Sequence, residues 1–208
     1  MEERIISLNT RGFKTGEIQR FVDEFQPLVL AINEHKQQYL FNLQIRGYTV
    51  AAGYPAFSSQ RGSACLVRNG EKCIGRGDLY YLSQEEMFEA ASVEIPRYNV
   101  VITSLYRSPN SPKTDFYQKL DSFAKYITTD EPFKRHIIAG DFNIDCNEDN
   151  KAKNVVKKYH LQFNIRGRTH ERGKCLDNFI TDFTPNRARI LPTNVKLSDH
   201  RPIEMYIS

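Results

Sequence analysis

Apolar and polar positions follow two rhythms along this chain, and the changes between them mark its elements. Arg4–Leu8 is a short β-rich run. Ile18, Phe21, Val22 and Phe25 then recur at i, i+3, i+4 and i+7, the apolar face of a helix. Thr15 stands where a cap would open that helix, and Pro27 closes it. Leu28–Ile32 (LVLAI) is continuously apolar, as expected of a buried strand. Tyr48–Tyr54 and Ser63–Arg68 read as further strands around a Gly/Ser/Pro-rich loop. Asn99–Tyr106 is the strongest β segment, and SPNSP after it signals a loop. Phe116, Leu120, Phe123 and Ile127 share one face of a second helix. Arg135–Ala139 is another buried strand, broken at Gly140. A short helix near Lys151–Tyr159 follows, then strands near Cys175–Thr181 and Ile203–Ile207. Many strands with few helices predict an α+β fold or a layered sandwich rather than a regular βαβ repeat.

Composition bounds this picture. A length of 208 residues suits one domain, and no repeat or low-complexity linker divides residues 1–208. The chain is 40% hydrophobic with 13 Phe and 11 Tyr, enough to fill a core and to exclude disorder. No apolar run approaches the roughly 20 residues of a membrane-spanning helix. The start, MEERIISLNT, lacks the basic and apolar regions of a signal peptide. A nuclear or cytoplasmic protein with no membrane partner is the expectation. Cys65, Cys73, Cys146 and Cys175 form no C-x-x-C pair and read as free thiols.

The net charge of +4 conceals an asymmetry: residues 151–208 hold 12 Lys/Arg against 5 Asp/Glu (+7), and residues 1–150 hold 17 against 20 (−3). A basic region beside carboxylates fits a polyanion held near a metal, although an ordinary solvated surface has the same composition.

The polar residues that interrupt the apolar runs carry the chemical signal. Ile5–Leu8 runs into Asn9, LVLAI into Asn33-Glu34-His35, RHIIAG into Asp141-Phe142-Asn143, and Val195–Leu197 into Ser198-Asp199-His200. Singly, each has a bland reading: Glu34 as a solvated strand end, Asp141 and Asn143 as turn residues, Ser198-Asp199 as a turn cap, His200 as a structural imidazole. Jointly, polar groups at several strand ends can converge on one rim of a sheet.

Six blocks carry a resemblance: NTRG at 9–12, LAINEH at 30–35, SLYRSP at 104–109, AGDFNID at 139–145, CLDNFI at 175–180 and LSDHRPI at 197–203. In this order they resemble the endonuclease/exonuclease/phosphatase superfamily, and most closely the apurinic-type endonuclease domain of non-LTR retrotransposons. The resemblance implies a four-layer α/β/β/α sandwich of the DNase I type, with two mostly antiparallel sheets flanked by helices and a site at one end. It implies Glu34 as metal ligand with Asn9 and Asp199 beside it, and Asp141 as the acid that orients and deprotonates water. Asn143 would hold Asp141, Tyr106 and His200 would contact phosphate, and Asp177 would orient His200. Ser198 and Thr169 supply supporting hydroxyls in this pattern.

The basic segment 166–174, with Arg166 and Arg168, is a candidate DNA contact, and Tyr54, Phe57 and Arg61 are candidates for lining the groove. His35 either tunes the site or caps its strand. The implied activity is Mg²⁺-dependent nicking of double-stranded DNA to leave a 3′-hydroxyl, with Mn²⁺ as a substitute ion. Such a chain would be fused to, or associated with, a reverse transcriptase. Two other readings stand beside it: a phosphatase or phosphodiesterase of the same fold acting on a small molecule, lipid head group or RNA, and an inactive nucleic-acid-binding module.

Overall fold

A computed structural model describes residues 2–208. Twelve strands form two six-stranded sheets. They are β1 (Glu3–Asn9), β2 (Val29–Asn33), β3 (Tyr48–Tyr54), β4 (Ser63–Arg68), β5 (Ile74–Gly75) and β6 (Glu89–Ile95), followed by β7 (Val100–Tyr106), β8 (Arg135–Asp141), β9 (Gln162–Phe163), β10 (Asp177–Thr181), β11 (Ala188–Ile190) and β12 (Ile203–Ile207). The first sheet runs β11-β12-β1-β2-β4-β3 and the second β5-β6-β7-β8-β10-β9. Each is antiparallel apart from one parallel pair, β1/β2 in the first and β7/β8 in the second.

Alternation along the strands builds the layers. Ile5, Val29, Ala31, Cys65 and Val67 belong to the core cluster shared with the second sheet. Their neighbours Ile6, Leu8, Leu30, Ile32, Ala64 and Leu66 cluster instead with Ile18, Phe21 and Val22 of helix α1 (Thr15–Phe25). On the far side, helix α2 (Lys113–Thr129) buries Phe116, Leu120, Phe123, Ala124 and Ile127, and Phe88 packs its ring on Phe116 and Phe123. The short helix α3 (Lys151–Lys157) packs beside α2. The result is the expected α/β/β/α stack.

Local details differ from the sequence reading. Thr15 is the first residue of α1 rather than its cap; Lys14 takes the cap position without a side-chain hydrogen bond. The helix stops one residue before Pro27, at Gln26 in a left-handed conformation. Asn99 is likewise left-handed, so its strand opens at Val100, and β10 opens at Asp177 rather than Cys175. Strand β6 (EAASVEI) was not expected, because Ala, Ser and Glu dilute its β-branched residues.

Candidate active site

Register places the polar strand ends opposite one another. In the first sheet Asn9 pairs with Asn33, Asn33 with Ser63, and Ser63 with Tyr54. In the second, Glu89 pairs with Tyr106, Tyr106 with Asp141, and Asp141 with Asp177. Two rows of polar side chains therefore meet at one end of the sandwich, where apolar filling gives way to hydrogen bonds.

Asp141 sits where the rows touch and is fully buried. Its Oδ2 accepts from Asn9 Nδ2 (2.8 Å) and Asn143 Nδ2 (3.2 Å), and its Oδ1 from the Asn143 N–H (2.9 Å). Its own N–H donates to Asn33 Oδ1 (3.0 Å). Burial, then the nearby charge of Asp177, pushes the Asp141 carboxyl up to about 7, while His200 and the N–H donors oppose that rise. Gly140 makes this approach possible, because a Cβ there would lie 1.9 Å from the Leu105 carbonyl oxygen.

Asn143 is held in the left-handed region, which Asn tolerates better than most residues. Its Nδ2 also donates to the Arg107 carbonyl (2.6 Å). Arg107 in turn is fully buried, and its guanidinium donates to the carbonyls of Phe142, Asn143 and Ser111.

His200 Nδ1 lies 2.8 Å from Asp177 Oδ2, and its Nε2 lies 3.8 Å from Asp141 Oδ2. Burial disfavours the imidazolium, but Asp177, Asp141 and Asp199 outweigh it and hold the ring's pKa up at about 9. His200 therefore carries charge at neutral pH, with its Nε2 beside Asp141. Thr169 is fully buried with its Oγ1 accepting from the N–H groups of Leu176 and Asp177 (2.8 and 3.0 Å). Ser198 Oγ donates to the Asn9 carbonyl (2.6 Å) and accepts from the His200 N–H (3.0 Å). These two hydroxyls, the supporting pair of the resemblance, fix the backbone around Asp177 and His200.

Glu34 leaves β2 with a positive φ of 52° and is buried. Its Oε1 accepts from Asn9 Nδ2 (3.0 Å), and its Oε2 pairs with Arg61 (2.8 Å). Asn9 thus bridges Glu34 and Asp141. Tyr106 is fully buried, and its hydroxyl has no partner. Burial, with Glu34 and Asp141 adding to it, pushes that hydroxyl far above the usual tyrosine range, so it stays protonated. The expected ligand set divides here. Glu34 and Asn9 are joined, whereas Asp199 Oδ2 is bound by Arg11 (2.7 Å) and His170 (3.1 Å). Two trios of potential ligands lie within 4.8 Å of one another among the described residues, His170/Asp199/His200 and Asp141/Asp177/His200, and neither includes Glu34. The second is already tied into an Asp–His hydrogen bond. Glu34, a hard oxygen donor whose charge also reaches the orphaned Tyr106 hydroxyl, suits Mg²⁺, which needs only one or two carboxylates and keeps several waters. The Asn9 amide turns its nitrogen to Glu34, and its oxygen accepts from the Arg11 N–H (3.0 Å).

His35 caps rather than tunes: its Nε2 meets the Tyr54 carbonyl and its Nδ1 accepts from the Gln37 N–H, both at 3.0 Å. Burial lowers its pKa to about 4, so it is neutral. Arg166 and Arg168 are exposed on the basic loop. Asn33, Glu89, Arg107, Arg11 and His170 were not singled out in the sequence. Asn33 had a signal there as the polar end of a buried strand, and Arg11 and Arg107 as members of the NTRG and SLYRSP blocks.

No family profile matches the sequence, and no curated protein matches it. Solved structures do match its fold. The endonuclease domain of TRAS1, a telomere-specific non-LTR retrotransposon, superposes with a TM-score of 0.74 at 14% identity, over 100% of this chain and 98% of that one. D. rerio TDP2 complexed with a single-strand DNA product gives 0.74 at 15% identity, covering 100% and 99%. An endonuclease/exonuclease/phosphatase protein from Bacteroides vulgatus gives 0.74 at 9%, again covering 100% and 99%. The chain has the DNase I-like fold of these structures.

Proposed function

We propose that this chain is a metal-dependent phosphodiesterase of the endonuclease/exonuclease/phosphatase superfamily that nicks double-stranded DNA and leaves a 3′-hydroxyl. The observation that carries the reading is Asp141, buried between the two sheet ends and held by Asn9 and Asn143 beside a His200–Asp177 pair. Fold likeness to a retrotransposon endonuclease domain and to a protein captured with a DNA product supports the substrate class. The first of these also supports a role beside a reverse transcriptase, as in target-site nicking.

Ionised Asp141 orients a water and takes its proton. Asn143 and Asn9 hold the carboxylate in place for that transfer. His200, kept cationic by Asp177, lies where it can neutralise charge developing on phosphate. The protonated Tyr106 hydroxyl donates to a phosphate oxygen. Glu34, its carboxylate positioned by Asn9, would hold Mg²⁺, or Mn²⁺ in its place, and the ion would supply charge neutralisation at the phosphate and at the leaving oxygen.

Supercoiled plasmid tests the assignment. Nicking should require Mg²⁺, stop with EDTA, and fall by about 10²–10⁴-fold in Asp141→Asn and in His200→Ala, the usual contribution of a placed proton-transfer group. A polymerase should extend the nick directly. Hydrolysis of a phosphomonoester with the plasmid left closed would replace the reading with a phosphatase. DNA binding without turnover would replace it with an inactive binding module.

A further inference from the structure

Beside the candidate site lies an open cavity of about 530 Å³ that the proposed chemistry does not use. Lys36, Gln38, Phe57 and Gln60 line it, and no carboxylate does. It is contiguous with the site: Lys36 follows Glu34 by two residues, the Lys36 N–H donates to the Arg61 carbonyl (2.8 Å), and Arg61 reaches Glu34.

The loop bearing Phe57 is fastened at several points. Glu85 accepts from the Ser59 N–H (2.7 Å) and the Ser58 hydroxyl (3.1 Å), and buried Glu89 accepts from the Gly62 N–H (2.7 Å). The Ala56 N–H donates to the Gln37 carbonyl (3.0 Å). Tyr54 supports Phe57 edge-on at 5.6 Å and itself stacks on Tyr80 at 5.4 Å. Thus supported, Phe57 remains 51% exposed. Lys36 and Gln60 both hold positive φ at the mouth. An apolar ring presented on a fastened loop, two exposed amides that can donate and accept, and one free ammonium form a set that matches one chemistry.

We infer that this cavity is a nucleobase subsite, in which a base of the DNA flanking the cut stacks on Phe57, Gln38 and Gln60 read its edge, and Lys36 meets the adjacent phosphate. The inference rests on the DNA-cleaving reading and names where that substrate is recognised. Aromatic rings take any base by stacking, whereas side-chain amides discriminate between base edges.

The test uses fluorescein-labelled duplexes in which an abasic residue is walked through each position around the cut, with affinity read by anisotropy in EDTA. Phe57→Ala should weaken binding to intact duplex by about 5–100-fold, the scale of one lost stack. One abasic position should weaken the wild-type protein equally, and at that position Phe57→Ala should cost nothing more. Phe57→Trp should restore binding, which separates stacking from misfolding. Gln38→Ala with Gln60→Ala should flatten base preference there. The inference falls if Phe57→Ala binds and cuts like wild type, or if its defect is the same on every abasic duplex. If wild-type protein binds no duplex at all, the function itself is overturned, and this subsite with it.

Discussion

Buried carboxylates behave differently here according to what surrounds them. Asp177 faces an imidazolium, Glu34 a guanidinium, but Glu89 has only backbone donors, the N–H groups of Gly62 (2.7 Å) and Glu86 (2.8 Å). Burial raises its pKa from 4.5 to about 7, against the pull of those two N–H groups. The sign follows directly. Between pH 4.5 and 7 the unfolded chain has released this proton and the folded chain keeps it, so folding binds the proton and stability falls as pH rises. The loss is complete above the folded pKa and amounts to at most about 3 kcal/mol. In urea unfolding of wild type and Glu89→Gln from pH 4.5 to 8, the stability of wild type relative to the variant should fall by up to about 3 kcal/mol as pH rises, as the wild type alone loses this contribution. Parallel curves would mean that Glu89 is ionised throughout. Glu89 was invisible in the sequence, because nothing in EAASVEI distinguishes a solvated strand glutamate from one aligned with Tyr106. Asp141 and His200 were legible because each interrupts an apolar run within a recognisable block.

At the scale of elements, sequence patterning identified β1–β4, β7, β8, β10, β12 and the three helices, whose apolar positions are continuous or recur at a helical or strand period. Short edge strands such as β5 and β9, two residues each, carry no pattern to read. Register also lay beyond reach, since which residue of β7 faces which residue of β8 depends on packing between distant segments. The structure concentrates that constraint at Gly140. A methyl there would overlap the Leu105 carbonyl, a backbone atom of the paired strand, and would come within 2.9 Å of Asn33 Oδ1. Relief requires β7 and β8 to part at the level of Tyr106 and Asp141. Gly140→Ala should therefore cost about 3 kcal/mol or more, lowering Tm by roughly 6–12 °C in a chain of this size. Gly16, in the first turn of α1, has nothing within 4 Å of an added Cβ, and Gly16→Ala should leave Tm unchanged or slightly raised. Equal Tm for Gly140→Ala and wild type would show that the two strands can separate without cost, and would undermine the register argument.

Across the whole molecule, the formal charge of +4 understates how basic the accessible surface is. Part of the acidic surplus in residues 1–150 is not on that surface: Glu34, Glu89 and Asp141 are buried in or beside the site, at 4%, 0% and 0% exposure. The cations of residues 151–208 are mostly outside, with Arg166, Arg168, Arg172 and Lys174 all exposed on one loop. That loop is anchored to the site, because the N–H groups of Thr169 and His170 donate to the Lys174 carbonyl and the Arg201 N–H donates to Thr169. These bonds set the loop's backbone at Thr169 and His170 against the segment that carries His200. If Arg166 and Arg168 each neutralise one phosphate, the dependence of log K on log salt should be shallower by about 0.9 for each, so Arg166→Gln/Arg168→Gln should flatten the slope by nearly 2. Because phosphate contacts carry no sequence information, the loss of affinity should be the same on every duplex tested. Anisotropy titrations from 50 to 250 mM salt read both quantities. An unchanged slope would place the loop away from the DNA and leave its charge an ordinary solvated surface. A slope reduced on one sequence only would mean that these arginines read bases, which exposed guanidiniums on a loop can do only from within a groove.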